Sequence, residues 1–356
     1  MLAKKKNLTT TPKIVTGPKN VYYLTANGNL YAWGDNSKYQ SGMVTNSILK
    51  KALIASNVID VATSQGGNSS AEPYVLILTD DGTVYSFGSN SYGQLGRSGD
   101  PNVMLPVVLP DVNSKVKAVS CGLDHTLILF ENGELYGVGN NTYGQLGPKN
   151  VGSHLSSFVK IADNVTTMSA ARRHTLFISN GKAYGLGDNR WYKLAATSTA
   201  YYSTPVEMHS NARAVIAGEH SSFIIDNNND LYYIGWRNVS NFNSGAGDGK
   251  LHKIMSNVKS VSMQEDHALI VTMDNKCYGW GLNTYSQTAP GSTAIQTNPY
   301  LLGSDIIEAG AGAWFSVMLE ADGDIVIWGK NTSAISGTGI ASERLSKLTL
   351  GAAQFK

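Results

Sequence analysis

Seven times along the chain, a short apolar and aromatic segment closes on a glycine. The copies are Leu30-Tyr31-Ala32-Trp33-Gly34, Val84-Tyr85-Ser86-Phe87-Gly88, Leu135-Tyr136-Gly137-Val138-Gly139, Ala183-Tyr184-Gly185-Leu186-Gly187, Leu231-Tyr232-Tyr233-Ile234-Gly235, Cys277-Tyr278-Gly279-Trp280-Gly281 and Ile325-Val326-Ile327-Trp328-Gly329. Successive closing glycines are 54, 51, 48, 48, 46 and 48 residues apart. A unit this small cannot bury an apolar face alone, so a near-constant period means copies stacked on one another.

Each unit carries further strands. His125-Thr126-Leu127-Ile128-Leu129 runs into Glu131-Asn132-Gly133, and His174-Thr175-Leu176-Phe177-Ile178 into Asn180-Gly181. Asn27-Gly28, Asp81-Gly82 and Asp322-Gly323 repeat the device. Asn-Gly and Asp-Gly tolerate the positive φ that tight hairpins need. A third strand lies upstream, as in Val116 to Ser120, and a fourth follows a proline, as in Pro205 to Met208. Four short antiparallel strands with a period near 50 residues make a propeller blade. The expectation is an all-β, seven-bladed β-propeller in one domain spanning 1–356, with a short N-terminal arm over 1–10. Blade one shows little room for a proline-led strand. The segment Leu345 to Leu350 has no repeat of its own and is expected to complete blade one and close the ring.

The turn after the glycine reads Asn90-Ser91-Tyr92-Gly93-Gln94-Leu95-Gly96, and again Asn141-Thr142-Tyr143-Gly144-Gln145-Leu146-Gly147. With the Ser-x-Gly-x-x-His-Thr run from Ser120 to Thr126, it resembles the regulator of chromosome condensation repeat family, over essentially the whole chain. The turn departs from the pattern at Tyr39-Gln40, Trp191-Tyr192-Lys193 and Tyr285-Ser286, and at Arg237-Asn238 in blade five. The resemblance implies a propeller used for protein contact. Its founding members act as exchange factors for a nuclear small GTPase and bind chromatin. No residues here match the wedge-like hairpin or the basic tail those roles rest on.

The repeated positions read as architecture. The glycines are expected to let strands approach near the narrow centre of the ring, and the aromatics before them to wedge between blades. His125, His174, His220 and His267 are read at one repeat position, with Asn20, Tyr74 and Phe315 in the other blades. Side chains on separate blades are too far apart to share one ion, so they are expected to be packed histidines, with no metal and no cofactor. Gly-x-Ser-x-Gly and His-Glu-x-x-His are absent. Ser244 to Leu251 lacks the first glycine and the hydroxyl of a phosphate loop, and Asp226 to Asp230 lacks the glycine and glutamate of a calcium loop. Glu219-His220-Ser221 alternates faces along a strand and cannot form a catalytic line. The chain is expected not to be an enzyme.

Charged residues are only 15% and the net charge is +2, which leaves no large field for nucleic acid or an anionic membrane. Met1 to Lys6 is the one basic run and no signal-like apolar stretch follows it, so cytoplasmic synthesis is expected. No segment approaches a bilayer span. Cys121 and Cys277 are expected as free buried thiols.

Contact residues are expected where the repeat is broken. One place is the insertion of blade two, Gly66, Gly67, Asn68, Ser69 and Ser70. The other is Arg190, Trp191 and Tyr192 with Tyr201 and Tyr202, residue types enriched at interface hot spots. The expected function is a non-enzymatic protein-interaction scaffold, a structural or recognition subunit of a larger assembly such as a bacteriophage virion. The alternatives are an exchange factor or regulator of a small GTPase, and a module binding host-surface glycans.

Overall fold

A computed structural model describes residues 8–43, 49–64, 73–197, 199–236, 247–339 and 341–355. The strands form seven four-stranded antiparallel sheets, each from four strands consecutive in sequence. Blade three is representative: Val116–Cys121, His125–Phe130, Leu135–Asn140 and His154–Ala162. Its second strand is buried at every position, because it is covered on both faces by neighbouring blades. The first strands of all seven blades line a central channel of about 290 Å³.

The core is divided among the seams. Seven apolar clusters each join residues of two adjacent blades. Trp33, Trp280 and Trp328 are almost wholly buried in them, as wedges between blades. The Trp33 indole also donates to the carbonyl of Ile335 across the seam between blades one and seven, at 2.7 Å. Around the channel, hydroxyls stitch strand to strand. Ser120 accepts from Ala170 N, Ser169 from Ala217 N and Ser262 from Ala311 N, each at 3.0 Å. Both cysteines are free and buried, and apolar surroundings raise Cys277 to about 12.

Closure differs from the sequence expectation. Leu345 to Leu350 belongs to Ser342–Leu350, which pairs with Ile325–Asn331 in blade seven. Blade one has its own fourth strand, Leu49–Ala55, paired along Leu30–Gly34. Every closing strand leaves an edge that the next stretch of its own chain reaches first, so no strand is shared. Blades one and seven meet instead through side chains and two backbone bonds, Lys51 N to the Gly337 carbonyl and Ala313 N to the Pro18 carbonyl, both at 3.2 Å. The Thr16 hydroxyl donates to the carbonyl of Ala311 at 2.6 Å. The one-turn 3-10 helix Ala352–Phe355 then sets the Phe355 ring against Tyr23 and Tyr31, at centroid distances of 4.9 and 5.4 Å, with Lys51 over the ring at 4.4 Å.

Two repeat positions also need correction. The closing glycines end the third strand of each blade, away from the channel. Their need for glycine is local: Gly139 has φ +106°, and a Cβ there would sit 2.6 Å from the Asp124 carbonyl oxygen. In blade five the residue opposite the glycine is Ser221, paired with Gly235 as His125 is with Gly139. His220 is one place early, on the preceding turn, and side chains there follow strand register whatever the residue type.

The true histidines of the ring, with Tyr74, are buried seam bonds. His125 Nε2 meets the Thr175 hydroxyl and His174 Nε2 the Ser222 hydroxyl, both at 3.1 Å, while His267 Nε2 reaches the Phe315 carbonyl at 3.2 Å. The Tyr74 hydroxyl donates to the carbonyl of His125. Burial lowers His125 to about 3 and His267 to about 4, and lowers His174 well below the usual range.

Replacing Phe355 by alanine empties the aromatic pocket at the closing seam and should cost about 3–5 kcal/mol. Calorimetry of Phe355→Ala tests this, and an unchanged melting temperature would show that the ring closes without it. The histidines predict an acid response. Their folded pKa values lie below the unfolded value, so the unfolded chain takes protons first and stability falls as pH drops below about 6.5. At about pH 5 the loss should be roughly 2 kcal/mol for a ring as shifted as His125. Asp124, raised to about 6, offsets part of it as pH falls from about 6 toward 4, because the folded chain then takes that proton first. The double variant His125→Gln, His174→Gln should lose less stability than wild type between about pH 7.5 and pH 5.

Candidate functional site

In an antiparallel blade, the turns between first and second strands and the loops between third and fourth strands leave from the same face. The Asn-Gly type hairpins leave from the other. Arg190, Trp191 and Tyr192, on the loop between the third and fourth strands of blade four, therefore belong to this first face. Gly66, Gly67, Asn68, Ser69 and Ser70 lie outside the described residues; Ser64, the last described residue before them, donates its amide to the Tyr74 carbonyl at 3.0 Å.

The loops on this face start from a self-braced turn, and the repeated motif states its chemistry. The Asn90 side chain accepts from Leu95 N at 2.9 Å, and the Gln94 side chain accepts from Tyr92 N at 2.9 Å. Asn141 and Gln145 do the same for Leu146 and Tyr143, at 2.8 and 2.9 Å. Two side chains thus replace the backbone partners that a tight loop lacks. The leucine plugs the seam and the aromatic residue is left on the surface.

Blade four breaks this turn. Asn189 still accepts from Leu194 N at 3.0 Å, but Lys193 stands where the glutamine stood. Tyr192 replaces the glycine at φ 57°, and Trp191 takes φ 70°, a left-handed conformation that a bulky side chain strongly disfavours. The reward of that strain is position: Trp191 is 45% exposed and lies against Trp236, centroids 5.5 Å apart, with His220 at 5.1 Å from Trp236.

Beneath it is a charged bed. Asp188 accepts from Arg190 Nε and Nη2 at 2.8 and 3.0 Å and from Lys193 Nζ at 3.0 Å. Burial opposes charge on Asp188, but the guanidinium and the ammonium overcome it and hold the carboxyl at about 2. Lys193 is almost fully buried and also donates to the Glu219 carbonyl at 3.3 Å. Glu219 pairs with Arg172. Asp124 is buried and raised to about 6, with Asn140, Arg173 and Arg172 pulling it back down.

The cluster crosses three blades. Tyr143 of blade three lies under Arg190 at 4.6 Å and Arg173 at 5.3 Å, and its ring meets Tyr201 edge-on at 6.5 Å. Arg190 and Tyr201 meet through the Tyr143 ring, while Trp191 turns to Trp236 of blade five. Tyr192 and Tyr202 are half-buried; Tyr202 packs on the seam between blades four and five and bonds Thr197. Tyr143, Arg172, Arg173 and Trp236 were not singled out from sequence. Arg172, Arg173 and Trp236 carried a signal, since each occupies a repeat position whose residue type changes from blade to blade, whereas Tyr143 sits in a regular turn.

Other candidates resolve as turns. Asp226 accepts from Asn228 N and Asp230 N at 2.9 and 2.8 Å, which is a hairpin, and Asp248 is engaged by His252 at 2.8 Å. Among the described residues, Glu320, Asp322 and Asp324 could share a cation, on a hairpin of the opposite face.

Lys193→Met leaves Asp188 with one cation where it had two and should cost about 3 kcal/mol in urea unfolding. Lys193→Gln restores the side chain used by the other turns and should cost less. Equal losses would mean that the ammonium contributes only packing.

The chain matches the RCC1-like domain family over residues 2–318. It is 24% identical to the ultraviolet-B receptor UVR8 of Arabidopsis thaliana over 282 residues, covering 73% of this chain and 64% of that protein. It is 31% identical to the protein RCC2 homolog of Danio rerio over 175 residues, covering 48% of this chain and 34% of that protein. The chain thus spans less than two thirds of the length of either relative. Among solved structures, Prp20p of Saccharomyces cerevisiae superposes with a TM-score of 0.80 at 18% identity, covering 94% of this chain and 89% of that one, which shows the shared fold. By sequence match, seven-fold architecture and turn chemistry, the chain belongs to the RCC1-like domain family.

Proposed function

We propose that this propeller is a non-catalytic regulator that recognises a protein partner, a small GTPase in first place, through the face carrying Trp191. One observation carries the reading. On that face an exposed tryptophan is held in a strained backbone over buried ion pairs, so stability has been given up to present it. Exposed aromatics and arginines on a rigid base are what interface hot spots are made of. The buried charged bed supplies the rigidity.

The relatives favour a regulator over the virion subunit expected from composition, which gains no support from them. Prp20p is described with binding to Gsp1p, a small GTPase, and to histones. Fold alone does not transfer those partners. What supports the reading here is family membership together with a surface built for contact. Asp188, Arg190, Lys193, Glu219 and Arg172 are engaged in ion pairs that position the rim, which suits recognition better than turnover.

The test is nucleotide release from a panel of small GTPases loaded with a fluorescent guanine nucleotide. One member should release faster with the wild-type chain. Trp191→Ala should weaken that response by about 30-fold, the loss of a 2 kcal/mol hot spot. If no member responds to or binds the wild-type chain, the GTPase reading is wrong.

A further inference from the structure

We infer that the seam between blades three and four reads a carboxylate, so that the partner presents an acidic segment to Tyr143, Arg173 and Arg190. This rests on the protein-recognition reading above and assigns the chemistry of the contact.

Two guanidinium groups converge on one phenol ring, with Arg190 and Arg173 centred 4.6 and 5.3 Å from Tyr143. Like charges are not brought together on an exposed face without something negative to hold them. The carboxylates present are already committed. Asp188 serves both Arg190 and Lys193. Glu219 serves Arg172. Asp124 is buried and bonded through Oδ2 to Asn140 at 2.8 Å; its charge acts on Arg173, but no ion pair joins the two and its Oδ1 has no hydrogen-bond partner among the described residues. Arg173 has no ion pair among the described residues, and its Nη1 reaches only the Tyr143 hydroxyl, at 3.4 Å. Its neighbour Arg172 has a buried Nε without a partner.

An acidic side chain laid on the ring edge would satisfy the fork of Arg173, and charge-assisted bonds of that kind are the strong ones. Tyr201, 43% exposed and edge-on to the Tyr143 ring, borders the spot and offers an apolar shelf. The occupant that fits is a protein segment with a glutamate or aspartate close to an aromatic or aliphatic residue. A nucleic-acid backbone would bring phosphate without the apolar contact.

The experiment uses the full chain and three fluorescent probes in an anisotropy titration: a short peptide of glutamates and phenylalanines, the same peptide with lysines for glutamates, and a short single-stranded DNA. The acidic peptide should bind best. Its affinity should fall about tenfold at Arg173→Ala, and Arg173→Lys should restore only part, because an ammonium lacks the planar fork. Melting curves of both variants check that the fold is kept. No binding of the acidic peptide, equal binding of the lysine peptide, tighter binding of DNA, or an unchanged affinity at Arg173→Ala would each overturn the inference. A GTPase response lost at Trp191→Ala but kept at Arg173→Ala would overturn it while leaving the regulator reading in place.

Discussion

A hydroxyl at the second strand of one blade donates to a carbonyl in the outer turn of the blade before it. Thr126 does so to Gln94 at 2.6 Å, Ser222 to Lys193 at 2.8 Å and Ser316 to Gln287 at 2.8 Å. These bonds are buried, where a lost partner costs most. They also set the angle between blades, because they fix the turn, and the turn fixes the leucine that plugs the seam. Apolar clusters supply the attraction between blades. The polar bonds decide which of many apolar arrangements is adopted.

The candidate site depends on that constraint. Where the turn is regular, as at Asn141 to Leu146, the structure spends its side chains on bracing itself. In blade four the brace is exchanged for ions. Lys193 takes the glutamine's place and still offers its carbonyl to Ser222, so the seam is preserved. The side chain turns to Asp188, and Asp188 turns to Arg190. The result is a rim whose cations are fixed from below, and whose tryptophan is pushed outward. The candidate site is therefore a perturbation of the repeat that leaves the seam bonds intact.

Much of the fold was legible in the chain, and the reason is periodicity. Asn-Gly and Asp-Gly turns mark the hairpins, and the closing glycines mark the third strands, because each demands a backbone that few residues tolerate. Leu49–Ala55 was missed since an edge strand with no proline or glycine carries no such mark. His220 was misplaced because residue identity was followed where pairing decides. Arg190, Trp191 and Tyr201 were legible as departures. Tyr143 was not, since it sits in a regular turn and gains its role from two arginines on the next blade.

The sequence by itself determined the number of blades, their hairpins and the turns that join them, since these depend on contacts between residues near in the chain. Only the tertiary structure decided how the ring closes and which residues share a surface. Closure rests on Phe355 meeting Tyr23 and Tyr31, and the site on Tyr143, Arg173 and Arg190 meeting across a seam. Such meetings join residues tens to hundreds of positions apart, and no local pattern records them. They follow from the angle at which one packed sheet is set against the next.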